Sequence, residues 1–149
     1  MQLAAFEQRM GGKAMKEMIL NAEIARMDDV LDFINAELEA HDVPMKTIMQ
    51  LDIAIEEIFV NIAHYAYNPE IGQASITVEV DDASRSITIR FMDQGKPYDP
   101  LSREDPDVTL DVEERQIGGL GIYMVKKSMD EVTYTYEGGQ NVLTIRKRF

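Results

Sequence analysis

The sequence predicts an α+β fold, a two-layer α/β sandwich in which helices pack on one face of a mixed, mostly antiparallel sheet. Two pairs of segments with alternating apolar residues, within residues 75–92 and 131–147, indicate β-hairpins because each pair is separated by a short polar turn. Two segments with apolar residues three and four apart, residues 25–40 and 45–67, indicate amphipathic helices. Helices of this kind bury their apolar stripe against a sheet, which gives two layers.

The remaining elements follow from local signals along the chain. Residues 16–23 alternate loosely and predict a first strand, and Pro44 separates the two long helices. Residues 96–117 contain three prolines and many charges, so we predict a long loop, and loops of this length are usually functional or disordered. Residues 122–129 predict a third, shorter helix before the second hairpin.

Length and composition limit the domain count and the class of partner. Residues 16–149 are predicted to form one domain. The extension before it, residues 1–15, has a weak pattern, so it could be a short helix, a frayed leader or a translational extension. The net charge of −12 argues against nucleic acid and anionic membranes as partners. A phosphate ligand would need local contacts to overcome this charge. The chain has no cysteine, two histidines and no apolar run long enough to span a membrane, so we expect a cytoplasmic protein without thiol chemistry.

The central predicted helix carries the most informative polar pair. Glu57 and Asn61 are four residues apart, so they share a face beside the apolar stripe formed by Ile48, Leu51, Ile55, Ile58 and Ile62. A carboxamide oxygen is a ligand that suits Mg²⁺, and a neighbouring carboxylate can deprotonate a hydroxyl. A solvated helix rim would show the same spacing.

Two glycine-containing segments follow in order. Asp93-Gln94-Gly95 ends a predicted strand, where a carboxylate could accept a hydrogen bond from adenine N6, although an ordinary turn has the same pattern. Gly118-Gly119-Leu120-Gly121 precedes a helix, so its amides and the helix N-terminus could hold phosphate, or the glycines could allow close packing. Arg115 could neutralise a terminal phosphate, grip a partner or remain a solvated charge.

Together and in this order the segments resemble the GHKL (Bergerat-fold) superfamily of gyrase, heat-shock chaperone, histidine-kinase and mismatch-repair ATPases. Over roughly residues 16–149 the chain looks most like the bacterial anti-sigma factor serine/threonine kinases. The matching motifs are Glu57-Ile58-Phe59-Val60-Asn61 with Ala63-His64-Tyr65-Ala66-Tyr67, Asp93-Gln94-Gly95-Lys96-Pro97-Tyr98-Asp99-Pro100, Gly118-Gly119-Leu120-Gly121-Ile122 and Met129-Asp130-Glu131-Val132.

The resemblance implies a role for each matched residue. Asn61 would coordinate the Mg²⁺ that bridges the phosphates of ATP, and Glu57 would orient or deprotonate the attacking hydroxyl. The other implied nucleotide-binding residues are Asp93 at the adenine amine, Gly95 beneath the ring, Gly119, Leu120 and Gly121 around the phosphates, Arg115 in the lid and Thr144 near adenine.

The resemblance also implies an activity and partners. The chain would be an ATP- and Mg²⁺-dependent serine kinase that phosphorylates an anti-anti-sigma (STAS-type) protein and sequesters a sigma factor, often as a homodimer. Two alternatives stay open. One is a non-catalytic ATP-binding module that sequesters its partner, and the other is the catalytic domain of a histidine kinase detached from its phosphoacceptor.

Overall fold

The protein is built on a six-stranded sheet with helices on one face. The computed structural model describes residues 4–10, 13–102 and 120–149. Its strands are β1 (Ala4–Met10), β2 (Lys13–Asn21), β3 (Gln73–Asp81), β4 (Ser86–Asp93), β5 (Glu131–Glu137) and β6 (Gln140–Arg148). Its α-helices are α1 (Met27–Ala40), α2 (Met45–Asn61) and α3 (Leu120–Ser128). None of these helices is long and apolar enough to cross a bilayer.

The strands lie in the order β1-β2-β3-β4-β6-β5, and every described pairing is antiparallel. The β5–β6 turn contains Gly138 and Gly139 with φ of 60° and 79°. Two consecutive positive φ values are the geometry of a tight hairpin turn, and glycine adopts them without steric cost. Because β6 lies between β4 and β5, the register places Asn141 of β6 opposite Asp93 of β4.

The core lies between the helices and the inner face of the sheet. Ile48, Leu51, Ile55 and Ile58 of α2 are all buried, as their spacing predicts. They meet the alternate residues of the central strands, among them Val78, Ile89, Phe91 and Ile145. This packing confirms the two-layer α+β architecture and fixes α2 over the ends of β4 and β6.

The structure differs from the sequence prediction at two elements. Residues 4–10 form an edge strand that pairs with β2, not a short helix or a frayed leader. The central helix is α-helical only to Asn61, and Ile62–Ala66 forms a π-helical turn. A π turn widens the helix locally and often occurs at functional sites. The predicted domain boundary at residue 16 stays a prediction.

Candidate functional site

A cleft opens between the end of α2, the ends of β4 and β6, and the segment that follows β4. It encloses about 450 Å³ of empty space, part of it open to solvent. Its lining is apolar at the base and polar at the sheet ends. The lining residues are Ile58, Asn61, Ile62, Tyr65, Ala66, Phe91, Asp93, Lys96, Tyr98, Pro100, Tyr134, Asn141 and Leu143.

Asp93 is the buried carboxylate of the cleft, with 6% of its surface exposed. Its Oδ1 accepts hydrogen bonds from the Gly95 N–H and from Asn141 Nδ2, each at 2.9 Å. Its Oδ2 has no hydrogen-bond partner among the described residues. The cleft therefore offers one unused carboxylate acceptor to a ligand that can donate a hydrogen bond.

Asn61 and Glu57 occupy successive turns of α2, as their spacing predicts. Asn61 is half-buried, lines the cleft and makes no side-chain hydrogen bond with the described residues. Glu57 is exposed one turn earlier and lies against Gly121 in the first turn of α3. A methyl group placed on Gly121 would lie 2.6 Å from Cδ of Glu57. The structure therefore brings the central helix and the second glycine segment into contact.

The π turn packs directly on the first glycine segment. The Lys96 N–H donates to the Ala66 carbonyl at 3.0 Å, and a methyl group on Gly95 would lie 2.8 Å from Cα of Ala66. This close approach requires glycine at position 95. The rings of Tyr65 and Tyr98, whose centroids are 6.1 Å apart, stand at the mouth of the cleft and are about half exposed.

Asn141 is a site residue that the sequence analysis missed. Its amide is buried, and it bonds Asp93 and the segment after β4. Thr144, which the resemblance placed near adenine, lies on the opposite face of the sheet, because it is three residues from Asn141 and alternate residues of a strand face opposite sides. The register of β6 against β4 would have identified Asn141, since it pairs with Asp93.

The second glycine segment lies only partly within the described residues. Arg115 and Gly119 lie outside the described residues. Leu120 begins α3, so its backbone forms the N-terminal end of this helix. Within residues 4–10, 13–102 and 120–149 there is no cluster of three or more histidine, aspartate or glutamate side chains that could hold a metal ion. The unpartnered carboxamide of Asn61 fits a Mg²⁺ ion that takes its other ligands from phosphates and water.

Comparisons with known proteins agree with this arrangement. The family model "Histidine kinase-like ATPase domain" matches residues 20–147. The serine-protein kinase RsbW of Listeria monocytogenes serovar 1/2a is 31% identical over 102 residues, which cover 66% of this chain and 64% of that protein. The serine/threonine-protein kinase BtrW of Bordetella bronchiseptica is 26% identical over 95 residues, 64% of this chain and 66% of that protein.

The match to the relatives is partial, since it spans a little under two thirds of the length of the Listeria kinase. The family match covers most of the chain, because residues 20–147 contain α1, α2, α3, β3, β4, β5, nearly all of β6 and the cleft. The chain belongs to the family of histidine kinase-like ATPase domains.

Proposed function

We propose that this protein is an ATP- and Mg²⁺-dependent protein serine kinase of the anti-sigma factor type. The observation that carries the proposal is the cleft, which joins the unpartnered carboxamide of Asn61 to the buried carboxylate of Asp93, with Glu57 and the start of α3 one turn away. These are the groups needed to hold a base, to bind a metal with its phosphates, and to remove a proton. The names of the kinases to which the chain is similar support the same activity.

Adenine recognition is assigned to the sheet end of the cleft. Oδ2 of Asp93 would accept a hydrogen bond from the exocyclic amine of adenine, because a carboxylate is an acceptor only. Phe91 and Leu143 are buried and Ile62 is half-buried, and all three line the cleft, so they offer the apolar surface that a flat base requires. Lys96 is the one cationic residue among the described cleft residues, and the chain as a whole carries a net charge of −12.

Phosphate binding is assigned to Asn61 and the start of α3. The N-terminal end of a helix carries partial positive charge and free N–H groups, which favour an anion. Mg²⁺, when bound, neutralises charge on the phosphates and aligns them for transfer. Asn61 would supply one oxygen ligand to this ion. Arg115 and Gly119 stay predictions as further phosphate contacts.

Glu57 is assigned to the transfer step. The serine hydroxyl oxygen of the substrate attacks the γ-phosphorus of ATP, a new O–P bond forms, and the bond between the γ-phosphorus and the β–γ bridging oxygen breaks to release ADP. The hydroxyl proton passes to the Glu57 carboxylate. Glu57 is exposed and close to the start of α3, so it is accessible both to a protein substrate and to phosphates held there.

The proposed partners rest on the resemblance of the sequence to the anti-sigma factor kinases. We propose that the phosphoacceptor is a serine of an anti-anti-sigma, STAS-type protein, that the kinase also sequesters a sigma factor, and that it acts as a homodimer.

The test is phosphoryl transfer from γ-labelled ATP to each purified STAS-domain protein of the same genome. We expect label on serine of one of them, and Glu57→Gln should slow the transfer by about 10²- to 10⁴-fold while ATP affinity changes little. Glu56→Gln is the matched control, because Glu56 is an exposed neighbour on α2 that is absent from the cleft. ATP binding without transfer to any STAS protein would favour the sequestering module, and full activity of Glu57→Gln would remove Glu57 from the mechanism.

A further inference from the structure

Asn141 lies at the centre of the hydrogen-bond network of the cleft. Its Nδ2 donates to Asp93 Oδ1 at 2.9 Å and to the Lys96 carbonyl at 2.8 Å. Its Oδ1 accepts from the Tyr98 N–H at 3.1 Å and from the Tyr134 hydroxyl. One buried side chain therefore ties together β4, β5, β6 and the segment that follows β4.

These partners, together with the Gly95 carbonyl 3.4 Å from Nδ2, allow only one orientation of this amide. A flipped amide would place Oδ1 against a carboxylate and a carbonyl, which are both acceptors, and Nδ2 against the Tyr98 N–H, which is a donor. Burial raises the pKa of the Tyr134 hydroxyl above 10, so this hydroxyl stays protonated and keeps donating to Oδ1. The network is therefore directional as well as buried.

The consequence for Asp93 is that its two oxygens are not equivalent. Oδ1 already accepts from Asn141 and from the Gly95 N–H, whereas Oδ2 has no partner among the described residues. A partial turn of the carboxylate would break both hydrogen bonds in a buried site, and a half turn exchanges two identical oxygens and restores the same arrangement. Asn141 thus holds one unpaired acceptor at a fixed place in the cleft.

We infer that Asn141 is a positioning residue that determines purine selectivity, by locking Asp93 so that a single fixed oxygen meets the 6-position of the base. The inference rests on the proposed function, since it concerns the same ATP site. A 6-amino group satisfies the fixed oxygen. A base that lacks this amine leaves the oxygen buried without a donor, and a 6-oxo base places a second acceptor against it. The carboxylate cannot turn away to avoid either cost.

The test compares the affinities of ATP and purine riboside triphosphate, which differ only in the 6-amino group, in the presence of Mg²⁺. A hydrogen bond to a charged group implies that the wild-type protein prefers ATP by roughly 10- to 100-fold. Asn141→Leu should reduce this preference to about threefold or less, because the freed carboxylate no longer holds one acceptor in place. Val142→Thr is the matched control, since its side chain is of similar size and lies on the opposite face of β6.

A second variant separates positioning from general packing. Asn141→Asp keeps the size of the side chain and an acceptor for Tyr98, but places a second carboxyl group against Asp93. The two buried carboxyl groups must share a proton, so Asp93 is no longer a fixed acceptor. Amide hydrogen exchange in the unliganded protein provides the readout. The Tyr98 N–H also donates to the Tyr134 hydroxyl at 3.2 Å, so its protection should fall, without being abolished, in Asn141→Leu and be retained in Asn141→Asp. Both variants should lose the preference for ATP, and Asn141→Asp supplies the result if Asn141→Leu does not fold.

The outcomes separate the inference from the proposed function. A folded wild-type protein that binds neither nucleotide overturns the ATP site, and the inference with it. Binding of both nucleotides with equal affinity by the wild-type protein, or equal weakening of both by the Asn141 variants, overturns the inference alone, because loss of packing weakens both nucleotides equally.

Discussion

His41 is held between two carboxylates at the end of α1. Its Nε2 lies 2.9 Å from Glu37 and its Nδ1 lies 2.9 Å from Asp82, while Glu37 also pairs with Lys16 of β2 at 2.7 Å. Burial by itself lowers the pKa of His41, but hydrogen bonds and charges from Asp82 and Glu37 outweigh burial and raise this pKa above 6.5. The protonated histidine therefore connects α1 to the turn between β3 and β4.

This arrangement predicts a pH-dependent contribution to stability. Because the folded pKa is raised, the contribution of His41 is complete below its unfolded pKa of about 6.5 and is lost as the pH rises through the folded value. Asp82 is largely exposed, so we expect at most about 1 kcal/mol. The measurement is the difference in the free energy of unfolding in urea between wild type and His41→Gln, as the pH rises from below about 6.5 through the folded pKa. A difference that stays constant, or grows as the pH rises, would contradict the prediction.

The site residues differ in how far the sequence alone could identify them. Glu57 and Asn61 follow from helical spacing, and Asp93 from its place at a strand end, because these signals are local. Thr144 lies on the other side of the sheet from Asn141, because a strand alternates faces at every residue and the two positions are three residues apart. Asn141 required the register of β6 against β4, which depends on contacts distant in sequence.

At the scale of elements, two glycines control how the site is assembled, and they differ in what surrounds them. Gly121 of α3 faces the end of the Glu57 side chain, which can move. Gly95 faces the backbone of Ala66 in the π turn, which cannot yield without shifting the turn. Substitution by alanine is therefore expected to disturb the site at position 121 and the stability of the fold at position 95.

We predict that Gly95→Ala lowers the free energy of unfolding by about 1–3 kcal/mol, as overpacking against backbone does. Gly121→Ala should leave it within about 1 kcal/mol of wild type, since alanine favours the helix. It should nevertheless slow phosphoryl transfer, because the new methyl displaces the Glu57 carboxylate. Urea unfolding and the transfer assay on both variants provide the measurement. A severely destabilised Gly121→Ala, or an unaffected Gly95→Ala, would show that these contacts are assigned incorrectly.

Two elements, β1 and the π turn, could not be predicted from the sequence, for physical reasons. The strand β1 has a weak sequence pattern of its own, and its formation depends on pairing with β2. The π turn Ile62–Ala66 keeps the apolar periodicity of a helix, so the sequence cannot distinguish it from a further α-helical turn. Long periodic segments, by contrast, predicted both α1 and α2.

At the scale of the whole molecule, the net negative charge opposes the nucleotide binding that the site favours. A net charge of −12 repels a nucleoside triphosphate, so binding must come from local groups that the fold assembles in one place. The cleft assembles them where α2 crosses the ends of β4 and β6. Mg²⁺ reduces the charge of the nucleotide before it meets the protein, so we expect binding to depend strongly on the ion and on Asn61.

Calorimetric titration of the purified protein with ATP, with and without Mg²⁺, tests most directly whether nucleotide binding depends on the ion and on Asn61. We expect Mg²⁺-dependent binding by the wild-type protein, loss of that binding in a folded Asn61→Ala variant, and wild-type behaviour of Glu56→Ala, an exposed change on the same helix. Absence of binding by a folded wild-type protein would contradict the nucleotide site, and unchanged affinity in Asn61→Ala would contradict the role of Asn61 as the magnesium ligand.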